Sequence, residues 1–221
     1  YKGAMFLVAG SLDHGTGSRD ISILGGAGRA MPYTAAAAGL AGLSMAGIPL
    51  LLGFVAKELM YETTLASTLP ALLTTLMLVA NLGMVAVAGW VGYLPFWSKP
   101  ARQDLHPHEG SAGLWLSPLL LGALSLVFGL MPQFVGKWLV APAAQAIWQA
   151  PISVKLALWH GLTPMLGLSA LTLLLGVGLS IGRKQIQPLF SRFWHALSRF
   201  GPAFLYPRSL HVVLSIASWQ T

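Results

Sequence analysis

Cysteine is absent from the 221 residues, so the chain holds neither disulfides nor thiolate metal sites. Charge is nearly as scarce. Only 9% of the residues are Asp, Glu, Lys or Arg, against about 25% in a typical soluble domain, which excludes a surface solvated in the ordinary way. No signal peptide is visible, and the first residue is Tyr1 rather than Met. What is present is apolar: 55% of the chain is hydrophobic, with 25 Gly and 14 Pro. Both helix breakers are tolerated in transmembrane helices, where neighbours re-satisfy the freed backbone groups. The composition therefore predicts an all-α integral membrane protein with the lipid bilayer as its first partner.

A span needs about 20 apolar residues. Such stretches cover residues 33–65, 71–97, 113–132 and 156–182, with a partial one over 1–11. Tyr1–Gly10 reads as the back half of a helix, so the chain is expected to be a fragment open at both ends. The connections are Asp13–Ala30, Ser67–Pro70, Ser98–Ser111 and Pro132–Lys155. After Ile181 the pattern changes: Arg183-Lys184 ends the last span, and Pro188–Phe200 alternates Leu, Phe and Trp with Arg192 and Arg199. That suits a helix lying in the membrane interface. The expected organisation is a core over 1–132, a linker and further transmembrane helix over 133–182, and an amphipathic interfacial segment over 183–221.

If the spans alternate, Arg19, Arg29, Lys99, Arg102, Arg183, Lys184, Arg192 and Arg199 fall on one side, and Lys137 and Lys155 on the other. The crowded side is cytoplasmic by the positive-inside rule. The net charge of +7 is thereby accounted for as topology, and no nucleic-acid partner is expected. Trp90, Trp97, Trp115, Trp138, Trp148 and Trp159 lie near span ends, as an aromatic belt would.

Against this background Ser44–Glu62 stands out, because Gly47, Pro49 and Gly53 precede a Lys57-Glu58 pair inside an apolar span. Pro49 lacks an N–H, so the carbonyl of Met45 loses its helical partner. A broken helix at membrane depth persists where it packs in protein or lines a wet cavity, and its half-helix ends can face an ion. A plain proline kink is the competing reading. An intramembrane charge costs about 2.5–3.5 kcal/mol on insertion scales, so Lys57 marks a pathway or a pairing site. Burial disfavours the ammonium while a neighbouring carboxylate favours it, and that competition suits a proton carrier. Snorkelling to the outer interface is the structural alternative, since Lys57 lies about 12 Å from the span end. Lys2 lies roughly 15 Å before the end of its helix and is a second candidate.

Histidine is the common side-chain proton acceptor near neutral pH, which makes His14 a candidate to take up protons at a channel mouth, although a capped turn with Asp13, Arg19 and Asp20 is the simpler account of that loop. His106, His108 and Glu109 read as a solvated loop rather than a metal site, and His160 as an interfacial anchor.

Lys2–Ser11, then Asp13-His14-Gly15-Thr16-Gly17-Ser18-Arg19-Asp20, Leu24-Gly25-Gly26 and Ser44–Glu62 resemble the antiporter-like subunits shared by Mrp cation/proton antiporters and respiratory complex I. Asp-His-x-Thr-Gly-Ser-Arg-Asp and Gly-Phe-x-x-Lys-Glu-x-x-Tyr-Glu are most similar to the large A subunit of bacterial Mrp antiporters, and the likeness extends over about residues 1–182. The resemblance implies an antiporter-like transmembrane helix bundle in the bacterial inner membrane. It implies a secondary transporter subunit, not an enzyme, without cofactor or resident metal. Other Mrp-type membrane subunits would be its partners, and protons and Na⁺ or another monovalent cation its cargo.

By the same resemblance Lys2, Lys57, Glu58 and His14 belong to a proton relay, and Met45, Gly47, Pro49 and Gly53 to the broken-helix backbone. The family's first-half glutamate–lysine pair and the histidine upstream of Lys2 are missing, so these residues alone do not complete a path. Gly3, Leu50 and Leu51 also depart from the family pattern. A proton-pumping subunit of a redox-driven complex, a bicarbonate-uptake relative and a purely structural subunit are the alternatives.

Overall fold

A computed structural model describes residues 1–99, 105–151, 154, 156–159, 161–198, 201, 206 and 210, with side chains 189, 190 and 192–197 left aside. The described elements are all helical. Helix α1 is Lys2–Thr16, α2 Pro32–Ala46, α3 Leu52–Leu65, α4 Pro70–Gly92, α5 Leu94–Trp97, α6 Ala112–Leu130, α7 Pro132–Val135, α8 Ala141–Trp148, α9 Pro164–Ile181 and α10 Arg183–Ser198. Proline opens α2, α4, α7 and α9, where its missing N–H is one the helix leaves unpaired anyway.

Among the described residues three stretches are each long and apolar enough to cross a membrane: Pro70–Trp97, Ala112–Leu130 and Pro164–Ile181. The expected span over 33–65 is instead two half-helices, α2 of 15 residues and α3 of 14, separated at 47–51. Gly47 stops α2 in the left-handed conformation at φ 74°, its N–H returning to the carbonyls of Leu43 and Ser44. Ile48 N–H adds a bond to the Leu43 carbonyl at 3.1 Å, completing a Schellman-type end. Leu50 also takes a positive φ, 77°, which costs a branched residue about 1–2 kcal/mol. The break is thus held by more than its proline.

Helix α2 sits at the centre, packed on α1, α4 and α6. Between apolar helices in lipid there is little hydrophobic drive, so close approach of small residues carries the association. Ala37, Ala38 and Ala41 are fully buried, and Gly42 meets Gly92 of α4 backbone to backbone. Val8, Leu12, Met31, Ala35 and Phe96 fill the space beside the alanines. Pro118 interrupts the hydrogen bonding of α6, and the carbonyl it frees, on Leu114, lies 3.0 Å from the Ser11 hydroxyl of α1.

Two expectations differ from what is seen. The connection Pro132–Lys155 is helical from Pro132 to Trp148, with one wide π turn at Gly136–Val140. Ala141, Ala143, Ala144 and Ala146 favour the helix at its C-terminal end, and its exposed Trp138 and Trp148 are of the type that sits at a membrane boundary. The span expected from 156 begins only at Pro164, after a positive φ at Gly161. Leu156 packs instead beneath α3 against Phe54 and Val55. Lys155, His160, Arg102 and Arg199 lie outside the described residues. The segment Ile181–Thr221 is a separate unit; within it α10 is strongly amphipathic.

Candidate functional site

The polar groups of the break meet at the C-terminal end of α2. Restarting at Leu52, the chain lays α3 against the end of α2, and the Lys57 ammonium donates to the Ala46 carbonyl at 3.0 Å. Lys57 is only 5% exposed and Glu58 8%, so neither snorkels to a surface. Sequence reasoning had placed the freed carbonyl on Met45; Lys57 instead takes that of the next residue, because Gly47 turns the chain before Pro49 is reached. The last carbonyls of a helix carry partial negative charge, and a cation there completes the dipole.

Glycine makes the approach possible. A Cβ on Gly47 would lie 2.7 Å from both Cε and Nζ of Lys57. One on Gly53 would overlap the Ser44 carbonyl, and one on Gly129 of α6 the backbone of Leu50–Leu52. The Ser44 hydroxyl, in turn, pairs with that of Ser125 on α6 at 2.7 Å, tying the final turn of α2 to its neighbour. Ser125 was missed in the sequence because its partner lies 81 positions away. Farther along α3, Glu58 and Glu62 line a pocket of about 200 Å³ with Thr163 and Met165.

Lys2 is exposed and lines an open groove of about 810 Å³ that Met5, Asp13, Arg19 and Met45 also border. The groove therefore runs from Lys2 to the residue preceding Ala46, and in that sense both lysines flank α2's end. His14 does not join them. It is exposed at the end of α1, its ring 6.4 Å from that of His108, while His108 N–H donates to the Gly15 carbonyl at 3.1 Å. Nearby, the Arg19 guanidinium hydrogen-bonds Asp13 at 2.9 Å and holds its carboxyl below the usual carboxylate range. Asp20 accepts from Ser22 N–H at 2.8 Å instead of joining that pair.

Glu109 is more than loop. Its carboxylate accepts from the Tyr33 N–H at 2.9 Å, the Thr34 N–H at 3.3 Å and the Thr34 hydroxyl, capping the N-terminus of α2. Among the described residues no group of three or more His, Asp or Glu is arranged to hold a metal ion.

With the break and its buried lysine described, the comparisons with known proteins say what the chain is similar to. Residues 1–98 match the family model described as NADH:quinone oxidoreductase/Mrp antiporter, transmembrane. Subunit A1 of the Na(+)/H(+) antiporter of Staphylococcus aureus is 32% identical over all of this chain and 29% of its own length. The subunit A1 of Staphylococcus epidermidis is 34% identical over 74% of this chain and 22% of its own length. Over its whole length the chain is similar to A-type subunits of Mrp antiporters. A chain in the solved Mrp complex of a Dietzia species superposes with a TM-score of 0.80 at 29% identity, over 99% of this chain and 24% of that one. The chain thus spans about a quarter of the length of the relatives it matches. The Mrp family match takes in α1–α5, including Lys2, His14, the break and Lys57, whereas Glu109, Ser125 and α9 lie beyond it.

Proposed function

We propose that this chain is part of the large subunit of a monovalent cation/proton antiporter of the bacterial inner membrane, working beside other Mrp-type membrane subunits, and that Lys57 carries protons within it. The observation that supports this reading best is the Lys57 ammonium seated on the Ala46 carbonyl at a break in the helix. There the charged form has a partner at the negative end of α2, while burial disfavours the charge. A proton arriving through the outer pocket at Glu58 and Glu62 is taken up by neutral Lys57, which then donates to Ala46. Release toward the groove of Met45 and Lys2 returns the amine to its neutral form. The Na(+)/H(+) names of the staphylococcal relatives support Na⁺ as the exchanged cation. The family model's shared description with NADH:quinone oxidoreductase favours one second reading, a proton-pumping subunit of a redox-driven complex.

The test is Lys57→Ala in the assembled complex, with cation exchange driven by a pH gradient followed in membrane vesicles. Exchange should fall to background while the amount of complex stays near wild type. Undiminished exchange would reduce Lys57 to a packing residue, and cation-independent, quinone-dependent pumping would favour the redox reading.

A further inference from the structure

Among the described residues four buried side-chain polar atoms have no hydrogen-bond partner; Trp90 Nε1 is one, and the other three are the Tyr61 hydroxyl on α3, Asn81 Nδ2 on α4 and the Ser169 hydroxyl on α9. All three residues are more than nine-tenths buried. Helix registers bring them together. The Thr74 hydroxyl of α4 lies 3.2 Å from that of Thr64 on α3, and the two helices run in opposite directions from there, so Lys57 and Asn81 stand level about two turns farther in. Val85 fills the space beside Gly176, and Ser180 the space beside Gly89. These two contacts share one offset, so α4 and α9 lie side by side and Thr172 stands level with Asn81. Ser169 follows one turn outward, on the same face as Thr172 and Gly176, all three buried.

We infer that α3, α4 and α9 enclose a hydrated polar seam on the outer side of Lys57, in which ordered water bridges Asn81, Tyr61 and Ser169. The inference rests on the proposed function for its purpose, as a wet branch between Lys57 and the outer surface. Its physical basis is separate. A buried polar group without a partner costs about 1–3 kcal/mol, and three that helix register sets within about a turn of one another, at or just outside the level of Lys57, form the kind of site that buried water occupies. Apolar packing frames the seam: Leu173 joins Ala46, Val85 and Ala88 on its inner side. The Thr64–Thr74 hydroxyl pair continues it outward, each step being about 5 Å, one helical turn. Asn81 would then be a positioning residue, holding water at the level of Lys57 without itself carrying the proton. α9 would supply a wall that the family model, ending at residue 98, does not include.

Hydroxyl-radical footprinting of the assembled complex tests this with a probe the size of water. Phe54 and Phe96, both 2% exposed, are dry references in apolar clusters. After correction for intrinsic reactivity, Tyr61 should be modified at least about five times faster than either, as a ring beside buried water. Asn81→Leu should lower that rate to the phenylalanine level and slow cation exchange about tenfold, and Asn81→Ser, which keeps a polar group for water, should restore both. Tyr61 protected as fully as Phe54 would overturn the seam whatever the transport result. A wet Tyr61 together with normal exchange in Lys57→Ala would leave the seam standing and overturn the relay.

Discussion

The two ends of α2 are finished by charged side chains from distant parts of the chain, and their contrast is instructive. At the N-terminus the Glu109 carboxylate gathers N–H groups, and at the C-terminus the Lys57 ammonium takes a carbonyl. Each charge opposes the partial charge of the helix end it meets. Burial separates them. Glu109 is half-exposed beside the exposed His14 and His108, where water shares the work, whereas Lys57 is shut in between α2, α3 and the glycines of the break. A solvated cap stabilises a helix. A buried one of the opposite sign weighs loss of solvation against a helix-end partner, and that balance is why the transport role proposed above falls on the C-terminal end.

Three substitutions break or sharpen that comparison. The largest effect is expected from Gly53→Ala, since a methyl group there collides with backbone, the Ser44 carbonyl, which cannot yield without separating α2 from α3. The complex should fail to accumulate, as membrane fractionation and native electrophoresis would reveal; a normally assembled variant would mean that the break packs more loosely than described. Gly47→Ala should be milder on assembly and more telling on function. Its methyl displaces the Lys57 amine from Ala46 and adds about 1–2 kcal/mol of left-handed strain, so exchange per assembled complex should drop roughly tenfold. Glu109→Ala should cost about 1–2 kcal/mol of stability, as loss of a helix cap does, seen as a lower melting temperature of the purified complex. Exchange per folded complex should stay within about twofold of wild type; a transport defect as deep as that of Gly47→Ala would erase the distinction between the two ends.

How far the sequence foretold this depended on distance along the chain. The break was legible because its causes are local: Pro49 removes an N–H, Gly47 supplies the left-handed turn, and Gly53 admits a neighbour. Lys57 and Glu58 stood out because charge is rare in an apolar run. The carbonyl was misplaced by one residue, since the fold-back that brings Lys57 over Ala46 follows from three-dimensional packing rather than from the proline rule. Glu109 read as a solvated residue because its partners lie about 75 positions earlier. The same holds for Ser125, and for Asn81 and Ser169, which are ordinary members of apolar spans until helix registers align them. His14 was legible as a titratable group at a helix end, and the structure places it with His108 rather than with the lysines.

The central claim is that Lys57 acts by releasing and regaining a proton rather than by holding a fixed positive charge. Lys57→Arg separates these, because arginine keeps a cation at the end of α2 but does not give up its proton in a protein. Exchange driven by a pH gradient, measured on complex shown to be assembled, should be as low in Lys57→Arg as in Lys57→Ala. Substantial exchange with arginine in place would contradict the account and make the cation a structural plug.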